Sequence, residues 1–85
     1  MHHVEYLTEA IKSLRKMPAH QAQIIRKKIL RLAQDPYAKH NNASKLQGRD
    51  GYRLRVGDWR VFYTIEDDRL VVLVVDIKPR GSAYQ

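Results

Sequence analysis

Tyr52-Arg53-Leu54-Arg55-Val56-Gly57-Asp58-Trp59-Arg60-Val61-Phe62-Tyr63 alternates apolar and basic residues on both sides of a Gly-Asp pair. A period of two marks half-buried strands, and Gly-Asp between two such runs marks a two-residue hairpin turn. With Gly57 and Asp58 as the turn, Val56 faces Trp59, Arg55 faces Arg60 and Leu54 faces Val61. Tyr52, Leu54, Val56, Trp59, Val61 and Tyr63 then share one face of the hairpin. Arg53, Arg55 and Arg60 share the other. Like charges directly opposite each other destabilise a sheet. Arginines held there against an apolar backing therefore point to an anionic ligand.

The hairpin organises what flanks it. Downstream, Asp67-Asp68 reads as a second turn, and Arg69–Ile77 as a third strand. Its run Leu70-Val71-Val72-Leu73-Val74-Val75 is continuous rather than alternating, which predicts a central strand buried on both faces and ended by Pro79. Upstream, Tyr37 to Gly51 is polar, carries Asn41-Asn42 and Gly48, and reads as a connecting loop. Before it, Ala22, Ile25, Ile29, Leu32 and Ala33 recur near the helical period. Pro18 fits the first turn of that helix, and Asp35-Pro36 ends it, because a residue before proline leaves the α region. Thr8 is the predicted N-cap of an earlier helix whose stripe is Ile11, Leu14 and Met17. Val4 to Leu7 reads as a short edge strand.

The predicted fold is therefore α+β: an N-terminal strand, a two-helix hairpin and an antiparallel three-strand meander, with the helices on one face of the sheet. The apolar hairpin face suits contact with the helices. The opposite face combines the arginines with Phe62, Val71, Leu73 and Val75. Left open, such an apolar strip is a binding surface. The alternative is that the N-terminal strand and the long loop cover it.

Residues 1–85 accommodate one domain, and a chain this short buries only roughly 60–65% of its unfolded surface, so a partner would add stability. It has no cysteine, which excludes disulfides and thiolate metal sites. His2, His3, His20 and His40 show no ligand spacing, so neither a metal nor a cofactor is expected. No apolar run reaches the roughly 18 residues that span a bilayer. Met1-His2-His3-Val4-Glu5 lacks the order of a signal peptide, giving the expectation of a cytoplasmic protein with no membrane partner. The formal charge of +7 suggests an acidic partner, nucleic acid or protein. Lys45, Arg49, Arg53, Arg55 and Arg60 concentrate that charge in one stretch.

Taken in order, these residues resemble the RelE/ParE toxin superfamily. The resemblance is carried by the strand–helix–helix–meander layout, Lys45-Leu46-Gln47-Gly48, the Tyr52–Tyr63 hairpin, and the ending Arg80 to Tyr84. It implies a toxin of a type II toxin–antitoxin pair, neutralised by a small acidic antitoxin. RelE-like members cut messenger RNA in the ribosomal A site, whereas ParE-like members poison DNA gyrase. The RelE-like branch is favoured; the alternatives are a gyrase inhibitor and a family member of little toxicity.

Carried over by position, the resemblance implies a catalytic set of Arg53 and Arg55 on the first meander strand, Arg60 on the second, Arg80 after the last and Tyr84 near the C-terminus. Lys45, Arg49 and Lys78 are expected to bind RNA phosphate, and ribosomal RNA is a further expected partner. Phe62, Val71, Leu73 and Val75 are expected to face the antitoxin. Lysines or a glutamate often stand in the family where Arg53 and Arg55 stand, and Pro79 takes a place where many relatives carry histidine. RNA cleavage by its own 2′-hydroxyl needs a proton removed, a stabilised phosphorane and a protonated leaving oxygen. Arginines suit the second task, since the guanidinium fork matches phosphate oxygens. They are poor bases because they stay protonated. Lys45 and Lys78 are alternatives for proton transfer, and the choice stays open at this level.

Overall fold

A computed structural model of the chain describes residues 1–81. Its elements are β1 (His3–Tyr6), α1 (Thr8–Lys16), α2 (Ala19–Gln34), β2 (Ala43–Lys45), β3 (Tyr52–Val56), β4 (Trp59–Glu66) and β5 (Val71–Pro79). The strands form one sheet in the order β1-β5-β4-β3-β2, in which β1 runs parallel to β5 and all other neighbours are antiparallel. The meander β3–β4–β5 is thus present as expected, widened by a strand at each edge.

The helices pack on the face predicted for them. Ala10, Leu14 and Met17 from α1 and its end, and Ala22, Ile25, Ile29, Leu32 and Ala33 from α2, meet Leu54, Val56, Val61, Tyr63, Val72, Val74 and Ile77 of the sheet. Tyr52, Trp59 and Ile65 complete that face at its margin. Each fully buried aliphatic side chain there contributes roughly 1.5–3 kcal/mol by leaving water. The Trp59 indole N–H donates to Gln21 Oε1 at 2.8 Å and ties the hairpin to α2.

The hairpin has the predicted register: Val56 opposite Trp59, Arg55 opposite Arg60, Leu54 opposite Val61. Gly57 takes φ 57, while Asp58 is not among the positive-φ residues. Positive φ at the first central position alone is what a II′ turn requires, and glycine adopts it at little cost.

Several local expectations are corrected. Thr8 is the first residue of α1 rather than its cap: Leu7 holds the N-cap position without a side-chain cap, and its carbonyl accepts the Ile11 N–H at 3.1 Å. The loop from 37 to 51 contains β2, which pairs Ala43–Lys45 with Leu54–Tyr52. The turn between β4 and β5 occupies 67–70, so β5 starts two residues later than predicted, and Leu70 sits at φ 52 to close it. Finally, β5 is not uniformly buried. Val71, Val72, Val74 and Ile77 are buried, but Leu73 and Val75 are only half-buried.

One irregularity decides what β5 presents. Phe62 pairs with Asp76 whereas Tyr63 pairs with Val74, so Val75 is an extra residue in β5. This bulge shifts the alternation by one. Val72 and Val74 before it and Ile77 after it all face the helices, and Asp76 and Lys78 join Phe62 and Arg60 on the open face.

Candidate functional site

The open face of the sheet changes character along its length. At the β1 end, Arg69 donates to Glu5 at 2.8 and 2.9 Å and to Glu66 at 3.0 Å. The Glu5 hydrogen bonds, then those from Glu66, hold the Arg69 pKa above its ordinary value. That guanidinium is fully answered by carboxylates. At the opposite end the cations are not. Arg49, Arg55, Arg60 and Arg80 form no ion pair among the described residues. Register places Arg55, Arg60 and Lys78 side by side across β3, β4 and β5. Excess positive charge is thereby focused on one corner of the molecule.

Between that corner and the loop preceding β3 lies a cleft of ≈ 260 Å³, lined by Leu46, Arg49, Asp50, Phe62, Tyr63, Thr64, Val75, Asp76 and Lys78. The loop reaches over β4 because Gly51, at φ 114, lies so close to it that an added Cβ would meet Tyr63 O at 3.1 Å. Leu46 N–H donates to Gly51 O at 2.9 Å and closes the loop on itself. Arg49 is carried inward by this loop, and its guanidinium sits 5.4 Å from the centroid of the Phe62 ring. A cation over an aromatic face is attracted by the ring quadrupole. Phe62 forms the floor and is 7% exposed. On the far wall, Asp76 Oδ1 accepts the Ile77 N–H at 2.8 Å, and Oδ2 stands 3.8 Å from Lys78 Nζ.

The residues singled out from sequence are only partly gathered there. Arg49 and Lys78 line the cleft. Arg53 is half-buried on β3, directly opposite Phe62. Arg60 is 2% exposed, and its Nη1 donates to the carbonyls of Gly57 at 3.1 Å and Trp59 at 3.0 Å. Its side chain braces the hairpin turn. Arg80 is exposed just past β5, and its backbone N–H donates to Asp58 O at 2.7 Å, which brings it to the same turn. Arg55 is exposed and borders a separate depression of ≈ 230 Å³ with Lys28, Arg31, His40, Asn41 and Asn42. Lys45 lies elsewhere too, in a hollow with Tyr37, Lys39 and Tyr52. Tyr84 lies outside the described residues.

The apolar strip is smaller than expected. Phe62 is covered by the Arg49 loop and Val71 is 4% exposed, leaving half-buried Leu73 and Val75 as its accessible part. The loop, one of the two covers considered, accounts for Phe62; β1 lies alongside β5 at the edge instead. Asp50, Thr64 and Asp76 were not anticipated as cleft residues. The signal for Asp76 was a lone acid interrupting the apolar run of β5.

Among the described residues no group of three or more His, Asp or Glu side chains is arranged to hold a metal ion, and no helix is long and apolar enough to cross a membrane. The site's chemistry rests on guanidinium, ammonium and carboxylate groups around an aromatic floor. Such a set holds and polarises phosphate.

Residues 4–84 match the family model described as the ParE toxin of the type II toxin–antitoxin system parDE. No curated protein sequence matches the chain. Among solved structures, the archaeal RelE–RelB complex from Pyrococcus horikoshii superposes with a TM-score of 0.81 at 28% identity, over 96% of this chain and 98% of that one. The intact RelBE toxin–antitoxin complex of E. coli gives 0.78 at 23% identity, over 93% and 96% of the two chains. The RelBE2 complex of Mycobacterium tuberculosis gives 0.77 at 22% identity, over 93% and 98%.

Proposed function

The chain belongs to the ParE toxin family of type II toxin–antitoxin systems, within a RelE-like fold, and on that premise we propose that it is a ribosome-dependent endoribonuclease. In this reading it cuts messenger RNA in the ribosomal A site, stops translation, and is held inactive by an acidic antitoxin. The observation that carries the reading is a cleft floored by Phe62 and lined by Arg49 and Lys78, with Arg53 opposite Phe62 and Arg60 opposite Lys78 in the sheet register and Arg80 just past the end of β5. A gyrase inhibitor requires a binding surface; a cleft with two cations in its lining and more beside it in the sheet suits a scissile phosphate.

Arg49 and Lys78, already at the cleft wall, would hold the phosphate oxygens, with Arg53 beside them. Arg80 would close on the phosphate from the turn and stabilise the charge of the phosphorane. Arg60 would act from beneath, as a buried positive charge that also fixes the turn carrying Arg80. Tyr84 would stack on a base or orient the nucleophile. Arg55 and Lys45, which lie outside the cleft, would meet ribosomal RNA phosphates rather than the reacting one. The antitoxin would cover Leu73 and Val75 together with the cationic corner, and the similar toxin–antitoxin complexes from P. horikoshii, E. coli and M. tuberculosis support such a partner.

The test is to map mRNA ends by primer extension after induction, and with purified protein in the presence and absence of ribosomes. Discrete new ends within reading frames, formed only with ribosomes, are expected. Intact mRNA with accumulated double-strand DNA breaks would instead establish a gyrase target. That second reading is favoured by the family model itself, which describes a ParE toxin and spans residues 4–84.

A further inference from the structure

The cations of the cleft leave one requirement unmet, a group that accepts the 2′-hydroxyl proton. A guanidinium stays protonated and cannot do so. Two carboxylates line the cleft, Asp50 and Asp76. Asp50 is exposed on the loop. Asp76 is fixed: it stands on β5 beside the bulge, and its Oδ1 is anchored by the Ile77 N–H at 2.8 Å. Bulges re-aim side chains, and here the extra residue Val75 turns an acid onto the open face beside Phe62. With Oδ1 engaged, Oδ2 is left toward Lys78, whose Nζ lies 3.8 Å away. That spacing is a loose contact between partly exposed groups, so an entering phosphate can part them.

We propose that Asp76 is the general base and Lys78 the general acid of RNA cleavage in this cleft, an inference that rests on the ribonuclease reading above. Asp76 Oδ2 takes the proton of the 2′-hydroxyl as the 2′-oxygen bonds to phosphorus. The bond from phosphorus to the 5′-oxygen breaks, and that oxygen takes a proton from the Lys78 ammonium. The products are a 2′,3′-cyclic phosphate and a 5′-hydroxyl end. Asp76 is left protonated and Lys78 neutral, and exchange with solvent restores both. Residues two apart on one strand lie roughly 6.5 Å from each other, which lets the pair flank one phosphate. Arg49, facing them across the cleft, would hold its non-bridging oxygens.

Single-turnover cleavage of a short defined mRNA in programmed ribosomes tests this. Asp76→Asn is the informative variant, because its amide oxygen still accepts the Ile77 N–H while its basicity is gone. Its cleavage rate is expected to fall about 10²–10⁴-fold, the usual contribution of a positioned base. Ribosome binding and the melting temperature should stay unchanged, and the rise of rate with pH on the acid side should disappear. Asp76→Glu should restore part of the rate. Lys78→Met should be slow on ordinary RNA but restored on a substrate with sulfur at the 5′ bridging position, which leaves without a proton. Asp76→Asn should stay slow on it. Wild-type cleavage matched by Asp76→Asn in rate and pH profile overturns the proposal, as does failure of the thio substrate to rescue Lys78→Met. Absence of cleavage by the wild type overturns the ribonuclease reading itself, and the two failures are thus distinct.

Discussion

Arg55 and Arg60 are direct cross-strand partners, and only Arg55 meets solvent. The Arg60 guanidinium turns into the hairpin and donates to the carbonyls of Gly57 and Trp59. The like-charge conflict legible in the sequence is thus relieved by sequestering one member, at the expense of burying a cation with no carboxylate beside it among the described residues. A charge held that way keeps a positive potential under the cleft corner.

Arg60→Ala should therefore affect the fold as well as the activity. Loss of two hydrogen bonds from a charged donor at a buried site is expected to lower stability by roughly 1–3 kcal/mol. Urea unfolding followed by circular dichroism measures it; an unchanged midpoint would show that the turn holds without this brace.

Arg80→Ala should separate the two effects. Arg80 is exposed, and its backbone N–H rather than its side chain ties it to Asp58. Stability should stay within about 0.5 kcal/mol, as for surface substitutions generally, while growth arrest on induction is lost. Full toxicity at matched soluble levels would remove Arg80 from the site.

Gly51→Ala should open the cleft loop. The new Cβ would lie 3.1 Å from Tyr63 O at φ 114, where an L residue is also strained. A cost of roughly 1–3 kcal/mol is expected. Gly48→Ala, at φ 77 with nothing within 4 Å, carries the backbone strain alone and should cost less, about 1 kcal/mol. Equal melting temperatures for the two variants would mean that the loop does not press on β4.

Alkaline pH should reveal Tyr63. Burial, followed by the neighbouring Tyr52, pushes its phenol from 10.0 up to about 12. The folded-state value is raised, so the stability it reflects is complete below pH 10 and is lost as pH rises toward 12. Tyr63→Phe should flatten that part of the stability–pH curve. An equally steep decline in the variant would assign the loss to other groups, with Tyr37 as the first suspect because its hydrogen bond to Asp67 also raises its phenol to about 12.

The hairpin and both helices were legible because each displays its period openly: two in Tyr52–Tyr63, near 3.6 through Ile25, Ile29 and Leu32. β2 was hidden, since Ala43-Ser44-Lys45 has no pattern of its own and becomes a strand by pairing with the free edge of β3. The bulge was hidden for a different reason. A continuous apolar run such as 70–75 has no phase, so nothing in it reveals where the alternation slips. That slip is what puts Asp76 and Lys78 at the cleft. Alternation likewise assigned Arg60 to a face without indicating where its long side chain would end.

β5 lies between β1 and β4 and is synthesised after every other described element. Until it emerges, β1 has no strand to pair with and α1 lacks the strand it packs against most. A sheet closed by its last-made strand depends on contacts between distant parts of the chain, which form late and slowly. The nascent polypeptide has no finished cleft wall until that strand is made, because Asp76 and Lys78 arrive with it. The order of synthesis itself leaves an interval in which the helices and the first hairpin exist but the cleft does not.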